Sequence, residues 1–158
     1  MADKTFYDSL MERQKASRTY KGKLILKKRE IQWHVSPQGR NAAVVDATSG
    51  LEAKTFGMVL TEIPPGAQSG LHRHTFEAVA YVLEGEGYDL IGEERVDWEA
   101  GDLFYMPPNV THRHVNKDPA RPARLLQVEA WPLMIYLGIS EMVQSEGAGP
   151  GPAGTKAG

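Results

Sequence analysis

Two stretches decide how this chain folds: Gly66-Ala67-Gln68-Ser69-Gly70-Leu71-His72-Arg73-His74 and Gly101-Asp102-Leu103-Phe104-Tyr105-Met106-Pro107-Pro108-Asn109-Val110-Thr111-His112-Arg113-His114-Val115-Asn116. Each carries a His-x-His pair. On an extended strand, side chains two residues apart point to the same face. His72 and His74 can therefore aim at one point, and so can His112 and His114. Chance readily supplies one such pair. Two of them account for four of the chain's five histidines, and that pattern points to imidazole ligation of a metal rather than to scattered packing or surface histidines.

Around these stretches the sequence reads as short strands with regular turns. Thr55–Ile63 alternates in character; Val79–Leu83 ends at Gly85; Gly87–Ile91 and Arg95–Trp98 form a hairpin around Gly92-Glu93-Glu94. Leu103–Met106 stops at Pro107-Pro108, and Val110–Val115 and Arg124–Glu129 follow. Upstream, Leu24–Leu26, Ile31–Val35 and Asn41–Val45 are further strand candidates. Many short strands at this spacing predict an all-β sandwich or barrel. Helical spacing is confined to the two ends. Phe6/Leu10 and Tyr7/Met11 lie four apart from Thr5 to Ser17, with Thr5 and Asp8 resembling a capping box. Leu133–Val143 is apolar enough for a short terminal helix, and the Gly-, Pro- and Ala-rich end has almost nothing to bury and reads as a disordered tail. The expected organisation is a helical arm over 1–23, a β-barrel over 24–145 and a tail over 146–158.

Composition narrows the chemistry. The chain has 158 residues, a length that suits one domain, and a net charge of −2, so no basic excess awaits a nucleic-acid backbone. Without cysteine, thiolate metal sites, disulfides and a cysteine nucleophile are excluded. No run approaches membrane-spanning length. A cytoplasmic protein with neither nucleic-acid nor membrane partners is expected.

The two stretches resemble the paired motifs of the cupin superfamily. The first matches Gly, five residues, His-x-His; the second matches Gly, five residues, Pro-x-Gly, two residues, His, three residues, Asn, except that Asn109 stands where the motif has Gly. Asn tolerates positive φ better than most residues, so the turn can survive. The resemblance implies a double-stranded β-helix, a jelly-roll-like barrel, binding one divalent transition metal through His72, His74 and His112. The motif's usual glutamate ligand, six residues before Gly85, is here Ala78. Glu77 is one place earlier and, on a strand, faces the other way, although a turn before Val79 would swing it inward as a fourth ligand. A three-histidine site is therefore expected, with Ala78, Ala80 and Val82 forming a small apolar wall beside the metal.

The same departure is found in gentisate dioxygenases and related ring-cleaving cupins, whose first motif is similar to His72-Arg73-His74-Thr75-Phe76-Glu77-Ala78 followed by Glu84-Gly85-Glu86-Gly87. Those enzymes normally contain two cupin units, so the likeness does not fix a substrate. Three neutral imidazoles leave the metal's charge uncancelled, which favours a small anionic chelating substrate alongside dioxygen. Iron(II) is the first choice; manganese, nickel, copper and zinc also occupy imidazole sites. His114 is expected beside the substrate as a proton-transfer group or as a fixed pocket histidine, with Tyr105 a second candidate base. Tyr105, Gln127 and Trp131 are candidates for the cavity mouth, Arg73 and Arg113 are expected to face away, and His34 is assigned to packing. The leading expectation is a ring-cleaving dioxygenase acting on an anion such as a hydroxylated aromatic acid, as a homodimer. A metal lyase or isomerase, and a non-enzymatic small-molecule-binding cupin, are the alternatives.

Overall fold

The computed structural model describes residues 5–17 and 20–151. Thirteen short strands follow an N-terminal helix α1 (Phe6–Ser17): β1 (His34–Ser36), β2 (Gly39–Val45), β3 (Gly57–Ile63), β4 (Ala67–Gln68), β5 (His72–His74), β6 (Ala78–Glu84), β7 (Glu86–Ile91), β8 (Glu94–Glu99), β9 (Leu103–Met106), β10 (His112–Asn116), β11 (Ala123–Glu129), β12 (Met142–Gln144) and β13 (Gly149–Pro150), with a second helix α2 (Trp131–Leu137) between β11 and β12.

Every strand pair is antiparallel. One sheet runs β1-β2-β3-β11-β6-β9; in the other, β10 is flanked by β7 and β8 on one side and by β4 and β5 on the other, with β13 and β12 beyond them. This is the jelly-roll-like arrangement that the motifs predict. Burial alternates along β6, where Ala78, Ala80 and Val82 point inward and Val79, Tyr81 and Leu83 outward. The inward set joins Ile63, Trp98, Phe104, Met106, Ala123 and Leu125 in one core. Burying a side chain of Leu or Phe size contributes about 1.5–3 kcal/mol, so this cluster is the main anchor between the sheets.

Several expectations need correction. Leu24–Leu26 forms no strand, and Leu24 is exposed; the run has no neighbour to complete a ladder. The C-terminal helix stops at Leu137, because Gly138 adopts the left-handed conformation (φ 71°) and ends it. The chain then returns as β12, which pairs with β5. Residues 146–151, expected in the tail, are held against the barrel: the Ala148 N–H donates to the Pro37 carbonyl at 2.7 Å, and β13 pairs with β4. Residues 152–158 lie outside the described residues. The capping box of α1 forms as expected, with the Asp8 N–H donating to Thr5 Oγ1 at 3.1 Å and the Thr5 N–H to Asp8 Oδ2 at 3.0 Å. The helix buries none of its residues. Among the described residues, no helix is long and apolar enough to cross a membrane.

Candidate metal centre

The two His-x-His stretches meet because β5 and β10 are neighbours in one sheet, with His72 directly opposite His112. His72, His74 and His112 are all buried, and one ring nitrogen from each lies within 4.8 Å of the others. Which nitrogen is free follows from the hydrogen bonds. His72 Nδ1 lies 3.0 Å from the Gly70 carbonyl, His74 Nδ1 2.6 Å from that of Phe76, and His112 Nδ1 2.9 Å from that of Val110. A carbonyl only accepts, so each Nδ1 carries the proton and each Nε2 keeps its lone pair. His112 Nε2 is fully buried with no hydrogen-bond partner. A buried acceptor left empty is costly; a metal ion satisfies all three lone pairs at once. Burial keeps the rings neutral, the form that binds metal: it lowers the pKa of His72 to about 4 and that of His112 to about 3, and it lowers that of His74. Phe76 stacks on His74 with ring centroids 4.0 Å apart and fixes its plane.

Glu77 is exposed and turned out of the site, where Tyr105 Oη donates to its Oε2 at 3.4 Å. That contact also places Tyr105, the candidate base, on the outer surface. Phe104 and Met106 take the inward positions of β9, so Tyr105 between them must point out. Arg73 and Arg113 face away as expected, towards Glu141 and Glu146 respectively.

His114 lies one position further in along β10, buried in a polar chain. Trp98 Nε1 donates to Asp89 Oδ1 at 2.8 Å, and Asp89 Oδ2 accepts from His114 Nδ1 at 2.7 Å. His114 Nε2 lies 3.0 Å from Gln127 Nε2, Gln127 Oε1 accepts from Thr61 Oγ1 at 2.5 Å, and Asn41 Oδ1 lies 2.8 Å from the same hydroxyl. Burial opposes a charge on His114, but the attraction and hydrogen bond of Asp89 outweigh it and raise the pKa. The ring is therefore held in one orientation, with Nδ1 towards Asp89 and Nε2 towards the Gln127 amide.

A cavity of about 430 Å³ opens over His72, His74 and His114. Gln127 and Trp131 line it as expected, but Ala78, Ala80 and Val82 do not: they are sealed in the core behind the site, packed with Phe104 and Met106. Its apolar wall comes instead from Ala43 and Val59 on β2 and β3, with Phe76, Trp131 and Ile135. Two lining residues escaped the reading of the sequence. His34 borders the cavity instead of packing inside. Glu129 shares the inward face of β11 with Gln127, a period-2 signal that was available. Burial raises its pKa to about 7, against the opposing attraction of His114.

The family model described as "Cupin domain" matches residues 59–129. A gentisate 1,2-dioxygenase from Ralstonia sp is 32% identical over 130 residues, covering 78% of this chain and 36% of that protein. A 5-aminosalicylate 1,2-dioxygenase from Comamonas sp is 32% identical over 104 residues, covering 66% of this chain and 27% of that protein. The chain thus spans about a third of the length of these relatives. Among solved structures, a mutant salicylate 1,2-dioxygenase from Pseudoaminobacter salicylatoxidans in complex with gentisate superimposes with a TM-score of 0.60 at 20% identity, covering 87% of this chain and 36% of that one. Residues 59–129 of this chain are a cupin domain, and the fold built around them is the cupin fold.

Proposed function

We propose that this protein is a metal-dependent dioxygenase that binds one iron(II) ion and cleaves a hydroxylated aromatic acid. The observation that carries the reading is the convergence of three imidazole Nε2 lone pairs under a cavity with apolar and aromatic walls. The similarity to gentisate and 5-aminosalicylate dioxygenases supports it. His72, His74 and His112 would hold the metal, one face of which stays free of protein ligands. A bound iron(II) supplies a Lewis-acid and one-electron redox centre that brings a chelating anion and dioxygen together.

The chain's other groups have defined tasks in this reading. Val59, Phe76 and Trp131 give the cavity apolar and aromatic walls against which a ring would pack. His114, with Nδ1 donating to Asp89 and Nε2 accepting from the Gln127 amide, is held in one orientation beside the substrate. Asp89 and Trp98 are positioning residues, since they act through His114. A homodimer is part of the proposal. Val79 lies opposite Tyr105 and Tyr81 opposite Leu103 on adjoining strands, and all four side chains are exposed, which makes one apolar patch on the outer sheet.

An oxygen electrode tests the activity. Iron(II)-loaded protein is expected to consume dioxygen with at least one hydroxybenzoate and to stop when an iron chelator is added. If no hydroxybenzoate, catechol or β-diketone elicits uptake, while the protein turns over a substrate anaerobically, a lyase or isomerase replaces the dioxygenase.

A further inference from the structure

The outer face of β6 and β9 is apolar and uncovered. Val79, Tyr81 and Leu83 point out from β6, and Leu103 and Tyr105 from β9, Leu103 with 67% of its surface exposed. Carboxylates border this patch where β6 runs into β7 and β8 into β9. Glu86, Glu99 and Asp102 are exposed there, and no lysine or arginine of the described residues forms an ion pair with them. Glu86 and Glu99 lie directly opposite each other on β7 and β8, a like-charge pairing that is destabilising until a cation answers it.

One segment of the same chain has the complementary character. Between Tyr20 and Glu30, Leu24 and Ile25 are flanked by Lys21, Lys23, Lys27, Lys28 and Arg29, and the one carboxylate, Glu30, is already paired with Lys23. Leu24 is 86% exposed and Ile25 55%, so neither finds cover in its own chain. Lys21, Lys28 and Arg29 have no ion-pair partner among the described residues. Nor can Leu24 and Ile25 reach their own patch. The Lys23 N–H donates to the Gly50 carbonyl in the loop after β2. In the sheet, β2 stands three strands from β6 and four from β9, about 14–19 Å at ~4.8 Å per strand. One and two residues past the Lys23 anchor, the pair extends about 7 Å at most.

We propose that residues 20–30 of one copy dock on the outer face of β6 and β9 of a second copy. Leu24 and Ile25 cover the patch around Tyr81 and Leu103, and Lys28 and Arg29 meet Glu86 and Glu99. Exchanged in both directions, the contact closes as a symmetric pair. This rests on the homodimer proposed above and names what each copy offers the other.

Sedimentation equilibrium on the full chain tests it. The unsubstituted protein is expected to dimerise, and more weakly as salt rises, because the facing charges lie at the surface. Ile25→Asp should weaken association about tenfold or more. Lys28→Glu with Arg29→Glu should weaken it similarly, and so should Glu86→Lys with Glu99→Lys, because like charges then face each other. Combining the two charge reversals should restore most of the affinity. All these side chains are exposed in the single chain, so the variants should fold as the unsubstituted protein does, and the recovery in the combined variant is the control. A dimer indifferent to Ile25→Asp and to Lys28→Glu with Arg29→Glu overturns the docking and leaves the homodimer standing. Two weakened reversals that do not recover when combined overturn the docking as well. A monomeric unsubstituted protein overturns both proposals. If that monomer sediments with phosphatidylserine vesicles, and the variant with Lys28→Glu and Arg29→Glu does not, the segment serves an anionic lipid surface instead.

Discussion

At the scale of single residues, the site is a problem in assigning protons. Three backbone carbonyls, of Gly70, Phe76 and Val110, take the Nδ1 protons of His72, His74 and His112 and leave three Nε2 lone pairs facing one point. His74→Ala is therefore expected to abolish stoichiometric metal binding, measured by elemental analysis of purified protein, whereas Glu77→Ala should leave it intact. Trp98→Phe removes the donor to Asp89 Oδ1 and leaves a buried carboxylate oxygen unpaired. It should cost about 1–3 kcal/mol in a denaturant titration, without loss of metal. The histidines were legible in the sequence because the period of a strand is 2 and their spacing carries it. Tyr105 was misplaced because its strand gave no register until Phe104 and Met106 were seen to be buried. Glu129 was legible from its period-2 spacing to Gln127 on β11 and was overlooked; its pairing with Ala78 across the sheet is recorded by no local pattern.

At the scale of elements, β10 and the turn before it do most to assemble the site. Asn109 holds φ 62° where the motif has glycine, and its N–H donates to the His74 carbonyl at 2.7 Å, tying the second motif to the first. Asn109→Gly is expected to be neutral or slightly stabilising. Asn109→Val, β-branched in a left-handed conformation, should lose about 1–2 kcal/mol. Gly87 on β7 leaves no room for a Cβ, which would strike the Trp98 ring and the Val115 carbonyl. Gly87→Ala should therefore destabilise by about 1–3 kcal/mol, read as a lowered thermal midpoint. Asn116, at the end of β10, donates from Nδ2 to the carbonyls of Ile63, Pro64 and Arg121 and so pins the loop that leads into β11. The strands from β6 to β11 were legible to within two residues, since turns and prolines bound them. The return of the chain as β12 was not. Apolar residues continued past Gly138, and the pairing of β12 with β5 depends on long-range geometry.

At the scale of the whole molecule, the two sheets divide their interior. One part is filled by the core around Ala80, Val82 and Met106, and the other is left open as the cavity beneath β2 and β3. That division explains why the small residues of β6 stabilise the fold instead of shaping the substrate space. The outer face of β6 and β9 carries the apolar patch proposed above as the dimer contact. Light scattering after size exclusion should report a dimer, and the paired substitution Tyr81→Glu with Leu103→Glu should convert it to a monomer that still binds metal. A monomeric parent protein would contradict the dimer alone.

The most direct test of the central claim is anomalous diffraction at the iron edge from crystals of the iron(II)-loaded protein. One peak per chain is expected, bonded to Nε2 of His72, His74 and His112 and to no carboxylate of the protein. No peak at the three histidines, or a carboxylate oxygen of Glu77 or Glu129 within bonding distance of the metal, would contradict the three-histidine centre.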